Sequence, residues 1–495
     1  MKWFWSLAVF AFVVLGAAAV WLGGLNQDEG WYLYAANLCA EGKMLYRDFF
    51  FTQGPKMPMF YKAFAWVWGD WGLLGARIFT LTLGFVGIGM ATGLARHLAP
   101  EGRKSEAALI TFMLLGCNLY HLYYVAIPKT YALAAMFVMM GFFLLAVGKK
   151  PIFQLGAGLV LAYAAGTRIS LGAILCVVGL GLLLTKQWKA LLWFCIGGFG
   201  GLAITYGPYL CDPGARAGLL AAQQYHAARG GFDLVWAVGS VSRLVRWYLP
   251  VFVVLGLGVA GALKVGGWRL KVGQWNLHVL LLSFFAVFAV QMLAPFPYED
   301  YQVPVMGLLS VYAAVTFVKN TPAPLFNLQP STFNLLLVLG LCFANSFGSP
   351  LLEKWMTNGQ DRFWSIKKEK CELAQLRDVA KRIEAQDPGG KTLLTQDLYL
   401  AIETGRSVPR GLEMGPFAML TDEEWKDLLT KTAPAECKIA ALSGYAFAIE
   451  PPVCKERSIE KQMEYWTLLK KNYTMVDREE AFGQNATTLL ILKRK

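Results

Sequence analysis

Apolar runs separated by short polar breaks fill the first 350 residues, and shorter mixed segments fill the rest. The opening run, KWFWSLAVFAFVVLGAAAVWLGG, carries roughly 20 apolar residues, the length a helix needs to cross a bilayer. Its front resembles a signal peptide. No small-residue cleavage site precedes the acidic pair that follows, so it reads as an uncleaved first helix. Ten more apolar runs lie near residues 71–95, 105–122, 131–148, 152–167, 169–185, 190–210, 247–263, 276–295, 302–318 and 332–350. The pattern predicts a polytopic α-helical membrane domain over residues 1–350, with about 11 transmembrane helices. Two breaks are long: a first external loop over 26–70 and another over 211–247.

Past residue 350 the period changes. KKEKCELAQLRDVAKRIEAQ, DEEWKDLLTK and SIEKQMEYWTLLKKN read as helices, and KTLLTQD, CKIAALSG and TTLLILKR read as strands. This alternation predicts a small α/β domain over 351–495. No glycine-rich phosphate loop, catalytic triad or metal motif stands out in it.

Composition agrees with a membrane protein: 56% of the 495 residues are hydrophobic and 16% charged, against about 25% charged in soluble domains. The formal charge of +13 would suit a nucleic-acid partner until it is located. Residues 347–495 hold 23 basic and 22 acidic residues, and residues 1–346 hold 23 and 11. The excess therefore lies between apolar runs, where it reports topology rather than a phosphate-backbone footprint, and no nucleic acid is expected.

One set of loops carries Lys2, Arg96, Arg103, Lys104, Lys149, Lys150, Lys186, Lys189, Lys264, Arg269, Lys271 and Lys319, with only Glu101 and Glu106 as acids. These loops are short, so the positive-inside rule makes them cytoplasmic. The N-terminus is then cytoplasmic and the 351–495 domain extracytoplasmic. The runs meeting at GTRIS stay two helices, because one helix over 152–185 would put the basic KQWK outside. The nine cysteines show no metal spacing; six sit in or beside apolar runs as small buried side chains. Cys437 and Cys454 could bridge in an oxidising compartment.

The first external loop opens with QDEGWYLY and continues through YRDFFFTQGPKMP. Long loops between packed spans are more often functional than short ones. An ionisable pair on the lip of a helical bundle, Asp28 and Glu29, is a functional candidate; the plain alternative is Asp28 as a helix cap. Tyr32, one turn from Asp28, shares its face. Cationic candidates on the same side include Lys56, Arg168, Arg229 and the pair Arg243 and Arg246 in SRLVRWYLP. Each could equally snorkel to lipid headgroups. His121 and His226 are on this side too and could ligate a divalent ion, or be ordinary interfacial residues.

The order of these features, DE after the first span, then G-x-x-x-Y-R-D-F, G-P and Arg77 in GARIFTLTLG, resembles a known family. PFPYEDYQVPVMGLL and TLLTQDLYLAIETGRSVPRGL agree with it. The chain resembles integral-membrane glycosyltransferases of the GT-C type, in the protein O-mannosyltransferase and aminoarabinose-transferase group and its bacterial cousins. Many members have His where this chain has Glu299 or Asp300. The resemblance implies transfer of a sugar from a polyprenyl-phosphate donor to a lipid, glycan or protein acceptor at the outer face of a bacterial inner membrane. It implies Asp28 as catalytic base with inversion at the sugar, and Glu29 as a second candidate. Lys56, Arg168, Arg243 and Arg246 are the donor-phosphate candidates, and Tyr32, Tyr46, Arg47, Asp48, Tyr298 and Tyr301 the substrate-positioning ones. No cofactor is implied firmly and no required metal is expected, although some members use a divalent cation. Two other classes fit the composition. A transporter of lipid-linked sugars would show internal repeats and midplane charges; a non-catalytic scaffold would leave the acidic, aromatic loop unexplained.

Overall fold

The computed structural model describes residues 1–264, 275–294, 296–320, 330–356, 371–451 and 453–495. Helix dominates. The chain opens with α1 (Lys2–Leu22), then α2 (Gln27–Ala40), α3 (Lys56–Ala63) and α4 (Ala65–Trp68) in the first loop. The bundle continues as α5 (Gly72–Leu98), α6 (Lys104–Gly116), α7 (Leu119–Ala126), α8 (Thr130–Val147), α9 (Pro151–Thr167), α10 (Gly172–Leu184) and α11 (Trp188–Cys211). Two further loop helices, α12 (Pro213–Ala227) and α13 (Leu234–Trp247), lead to α14 (Leu249–Lys264), α15 (Trp275–Met292), α16 (Met306–Asn320) and α17 (Pro330–Met356).

Each expected apolar run coincides with a helix. Five helical stretches are long and apolar enough to cross a membrane alone: Lys2–Leu22, Ala65–Leu98, Thr130–Val147, Trp188–Cys211 and Glu299–Asn320. One run differs from the single straight span expected: α6 and α7 bend by 68°, whereas the 81° bend between α13 and α14 falls where the 211–247 loop was expected to end. At the first bend Asn118 explains the break: its side-chain oxygen accepts from the His121 N–H and starts a new helix. Four other apolar helices are shorter, among them the two that meet at Arg168, which stay separate as expected. Arg269 and Lys271, counted among the cytoplasmic charges, lie outside the described residues.

Small residues let the helices approach. Gly158 on α9 faces the Phe194 carbonyl, and Gly197 on α11 faces the Leu155 carbonyl, each so close that a Cβ would collide with backbone. This is the small-residue packing that brings membrane helices into contact where no hydrophobic effect drives them together.

α17 runs on to Met356, past the boundary expected at 350. The remaining unit holds α18 (Glu372–Gln386) and β1 (Leu393–Leu394), α19 (Leu398–Thr404), then β2 (Ile439–Ser443). A two-stranded ribbon, β3 (Ile449–Glu450) and β4 (Lys455–Glu456), precedes the helix Ile459–Asn472, β5 (Tyr473–Phe482) and β6 (Thr487–Arg494). The main sheet has order β1-β2-β6-β5, parallel between β1 and β2 and antiparallel elsewhere. β2 is buried along its whole length. The sequence reading missed β5, YTMVDREEAF, because only Tyr473, Glu479 and Phe482 of its ten residues are buried. It is an edge strand whose charged outer positions hide the alternation, a common guard against further pairing. Among the described residues no disulfide joins any of the nine cysteines, so Cys437 and Cys454 are not bridged.

The α/β unit sits on the first loop. Gly30 of α2 packs against the backbone of Leu398 and Tyr399 at the start of α19, where any side chain would clash.

Candidate active site

The adjacent acids of the first loop part company at the start of α2. Asn26, not Asp28, is the cap: its side-chain oxygen accepts from the Asp28 N–H at 3.0 Å, and the Glu29 carboxylate accepts from the Asn26 N–H at 3.0 Å. Glu29 then turns inward. Its two oxygens take Nε and Nη2 of Arg77, each at 2.7 Å, and both side chains are 0% exposed. Arg77 also donates to the carbonyls of Val20, Gly23 and Gly24 at the end of α1. All five guanidinium donors are thereby used.

Asp28 faces the other way, into a cavity of about 310 Å³. α2 supplies Asp28, Trp31 and Tyr32; the ends of α7 to α9 supply Tyr124, Lys129, Tyr131 and Arg168; α12 and its end supply Tyr225, His226 and Arg229. The segment before α16 adds Tyr298, Glu299, Asp300 and Tyr301. The α/β unit adds Met414, Phe417, Tyr445, Gln484 and Asn485 to its lining.

Charges are opposed across this space. Asp28 Oδ2 lies 2.8 Å from Lys129 Nζ, and its other oxygen accepts from Trp31 Nε1 at 3.1 Å. Lys129 also reaches Asp300 Oδ2 at 3.4 Å, and the Tyr131 hydroxyl donates to that oxygen at 2.9 Å. Arg168 lies between the rings of Tyr131 and Tyr301, 4.9 and 4.7 Å from their centroids, and donates to Thr130 Oγ1 at 3.3 Å. Arg229 stands over the Phe296 ring at 5.7 Å. Among the described residues neither Arg168 nor Arg229 has a carboxylate within ion-pair distance.

Burial alone would raise the Asp28 carboxyl. Lys129 outweighs it by charge and hydrogen bond, with help from Trp31 and Arg168, so its pKa lies below the ordinary carboxylate value. Tyr32 is pushed up, by burial first and then by the Asp28 charge, and stays a neutral phenol. Burial lowers His226, whose Nε2 donates to the Thr52 carbonyl at 2.7 Å.

The structure thus brings nine of the residues named from the sequence to one cavity: Asp28, Tyr32, Arg168, His226, Arg229, Tyr298, Glu299, Asp300 and Tyr301. The other candidates lie elsewhere. Glu29 is spent on Arg77. Arg243 pairs with the cavity-lining Glu299 at 2.9 Å, and Arg246 is buried against the Trp247 ring. Tyr46 donates to the Gln53 carbonyl, and Arg47 and Asp48 pair with each other beside Asp212. Lys56 is half-buried over the Tyr163 ring at 3.5 Å, in a second cavity of about 390 Å³ shared with Lys43 and Lys62. His121 is engaged by the Tyr248 hydroxyl at 2.9 Å. No three His, Cys, Asp or Glu side chains gather to hold a metal among the described residues.

Lys129 is the residue the sequence reading passed over. A lone lysine in IPKTY, in the short break between two apolar runs, was the available signal, since ionisable residues there are costly unless used. Asp300 was noted only as a substitute for histidine.

The α/β unit also grips the residue next to Asp28. Gln27 donates from its side chain to Asp397 Oδ1 at 2.7 Å and from its backbone to Gln484 Oε1 at 2.7 Å. Tyr34 of α2 accepts from the Val408 N–H at 2.9 Å.

No protein-family model matches the chain, and no curated protein matches its sequence. Solved structures do match in fold. ArnT from Cupriavidus metallidurans in the apo state superposes with a TM-score of 0.61 at 15% identity, covering 98% of this chain and 97% of that one. The same ArnT bound to undecaprenyl phosphate gives 0.60 at 13%, with the same coverage. The Archaeoglobus fulgidus oligosaccharyltransferase, tethered to an acceptor peptide containing the NVT sequon, gives 0.51 at 12%, covering 98% of this chain and 74% of that one. Over nearly its whole length, bundle and α/β unit together, the chain is similar in fold to ArnT, the kind of GT-C architecture that its sequence resembles.

Proposed function

We propose that the protein is a membrane glycosyltransferase that moves a sugar from a polyprenyl-phosphate donor to an acceptor hydroxyl or amine, inverting the anomeric carbon. One observation carries the reading. A carboxylate, Asp28, shares a cavity with two cations, Arg168 and Arg229, that have no carboxylate partner among the described residues. The fold shared with a protein that binds undecaprenyl phosphate supports it. In this reading the acceptor's X–H proton passes to Asp28 while X attacks the sugar's C1. The C1–O bond breaks and the polyprenyl phosphate departs with the electron pair. Arg168 and Arg229 receive the phosphate charge, and Tyr32, Tyr298 and Tyr301 shape the sugar's place. Lys56, beside its own lysine-rich cavity, meets the lipid phosphate nearer the headgroups. No step calls on a metal.

The same proposal sets all 11 apolar helices across a bacterial inner membrane with the N-terminus cytoplasmic. The cavity and the α/β unit then face the extracytoplasmic side, and the acceptor is a lipid, glycan or protein of the envelope. The test is transfer from a panel of labelled polyprenyl-phosphate sugars in membranes carrying wild type or Asp28→Asn, matched for folded protein. Transfer by wild type that disappears in the variant is expected. Transfer that survives in Asp28→Asn removes the base assignment, and lipid-sugar translocation without transfer replaces the enzyme by a transporter.

A further inference from the structure

One ammonium joins three distant segments inside the cavity. Asp28 comes from the first turn of α2, Lys129 from the residue capping α8, and Asp300 from the turn before α16. The lysine side chain is 8% exposed, and the rings of Tyr131 and Tyr124 flank its nitrogen at 5.0 and 5.7 Å. Two carboxylates cannot both stay ionised in such a corner without a positive charge between them. Sites that handle phosphate commonly meet this need with a divalent cation that bridges carboxylates and ligand oxygens. Here the space is filled by a side chain of the protein itself. An ammonium has three donors. Asp28 at 2.8 Å and Asp300 at 3.4 Å engage two, which leaves the third for an incoming oxygen.

We propose that Lys129 is a built-in cation: its ammonium occupies the position between Asp28 and Asp300 that a divalent metal would otherwise take, and offers its remaining N–H to the donor's phosphate. The second half rests on the glycosyltransferase reading; the first half rests on the cluster alone. Neither Arg168 nor Arg229 pairs with Asp28 or Asp300, so neither holds the position between the two acids. Lys129 draws the two acids together and keeps Asp28 ionised, then shares its charge with the phosphate as the C1–O bond lengthens.

The experiment has two arms on purified full-length protein. In the first, Mn²⁺ binding is read by electron paramagnetic resonance for wild type, Lys129→Ala and Lys129→Ala/Asp300→Asn. The expected result is no bound Mn²⁺ in wild type, bound Mn²⁺ in Lys129→Ala, and loss of that signal in the double variant. Lys129→Ser replaces the alanine variant if the latter does not fold. The second arm measures transfer by Lys129→Gln, which is neutral and close in size. A fall of about 100-fold per folded protein is expected, the scale of losing one charge-stabilising donor, with no effect of a chelator on wild type. Equal Mn²⁺ binding by wild type and Lys129→Ala, or none by either, overturns the proposal. So does transfer by Lys129→Gln within about threefold of wild type. If wild type transfers no sugar from any donor, the glycosyltransferase reading fails, and the Mn²⁺ arm still decides whether Lys129 holds a cation position.

Discussion

Asp28 and Glu29 are neighbours in sequence and opposites in use. Glu29 meets an arginine that has no other carboxylate and spends all five donors at once, in a pocket with no exposed atom. Asp28 is 31% exposed to a cavity, and the lysine beside it is shared with a second acid. Successive residues of a helix point about 100° apart, so one turn of α2 can face both the bundle and the cavity. Saturated partners build structure; shared and partly open ones leave bonding capacity for a substrate. The capping box makes this division possible, because Asn26 relieves Asp28 of capping.

The contrast can be broken from either side. The largest expected effect is on folding. Arg77→Met leaves Glu29 buried without its partner, and breaking such a pair costs about 3–5 kcal/mol; thermal unfolding in detergent should show it, with transfer lost because folded protein is lost. Asp28→Asn should do the reverse. Loss of a general base lowers transfer by about 10²–10⁴-fold, while the unfolding temperature stays near that of wild type. A variant of Asp28 that unfolds, or one of Arg77 that melts normally, would erase the distinction between the two acids.

Next in size is pH. The Asp28 carboxyl lies below its ordinary value, so its ionised form survives as pH falls and is lost only through that lowered pKa. Wild-type transfer should therefore stay level from pH 8 down to about 4, near the unperturbed carboxylate value. In Lys129→Gln burial is opposed only by Trp31 and Arg168, the Asp28 pKa rises, and the acid limb of the pH–rate profile should move up into that range. Smaller still is Arg168→Gln, which removes a cation with no carboxylate partner. It should weaken the donor's KM about tenfold, the effect of one charge-assisted hydrogen bond of about 1.5 kcal/mol, with little change in stability. The smallest effect is at Arg47→Gln. Its ion pairs are exposed and worth about 0–1 kcal/mol, so transfer and unfolding should both stay close to wild type.

Legibility followed the range of the interaction. Apolar runs are local, and every one expected marks a helix, down to the break at Arg168. The bend at Asn118 escaped because a continuous hydropathy signal hides a change of helix direction, while the one at Tyr248 falls at the expected end of the 211–247 loop. Asp28, Tyr32, Tyr298 and Tyr301 could be found from local order and from family resemblance. Lys129 and Asp300 could not be joined to Asp28 in that way, since 101 residues separate Asp28 from Lys129 and 171 separate Lys129 from Asp300. Arg243 and Arg246 illustrate the converse. Their spacing on one helical face was read correctly, but Glu299 and Trp247 claim them, and those partners are visible only after folding.

Gln27 carries a consequence for protein engineering. Its side chain and backbone are both held by the α/β unit, through Asp397 and Gln484, one residue before Asp28. The unit therefore cannot be exchanged as a cassette. A chimera that takes its tail from another protein inherits a different grip on the first turn of α2, and would need a matching residue at position 27 to set the acid where this chain sets it. Bundle and tail are bound to be redesigned, and to diverge, as a pair.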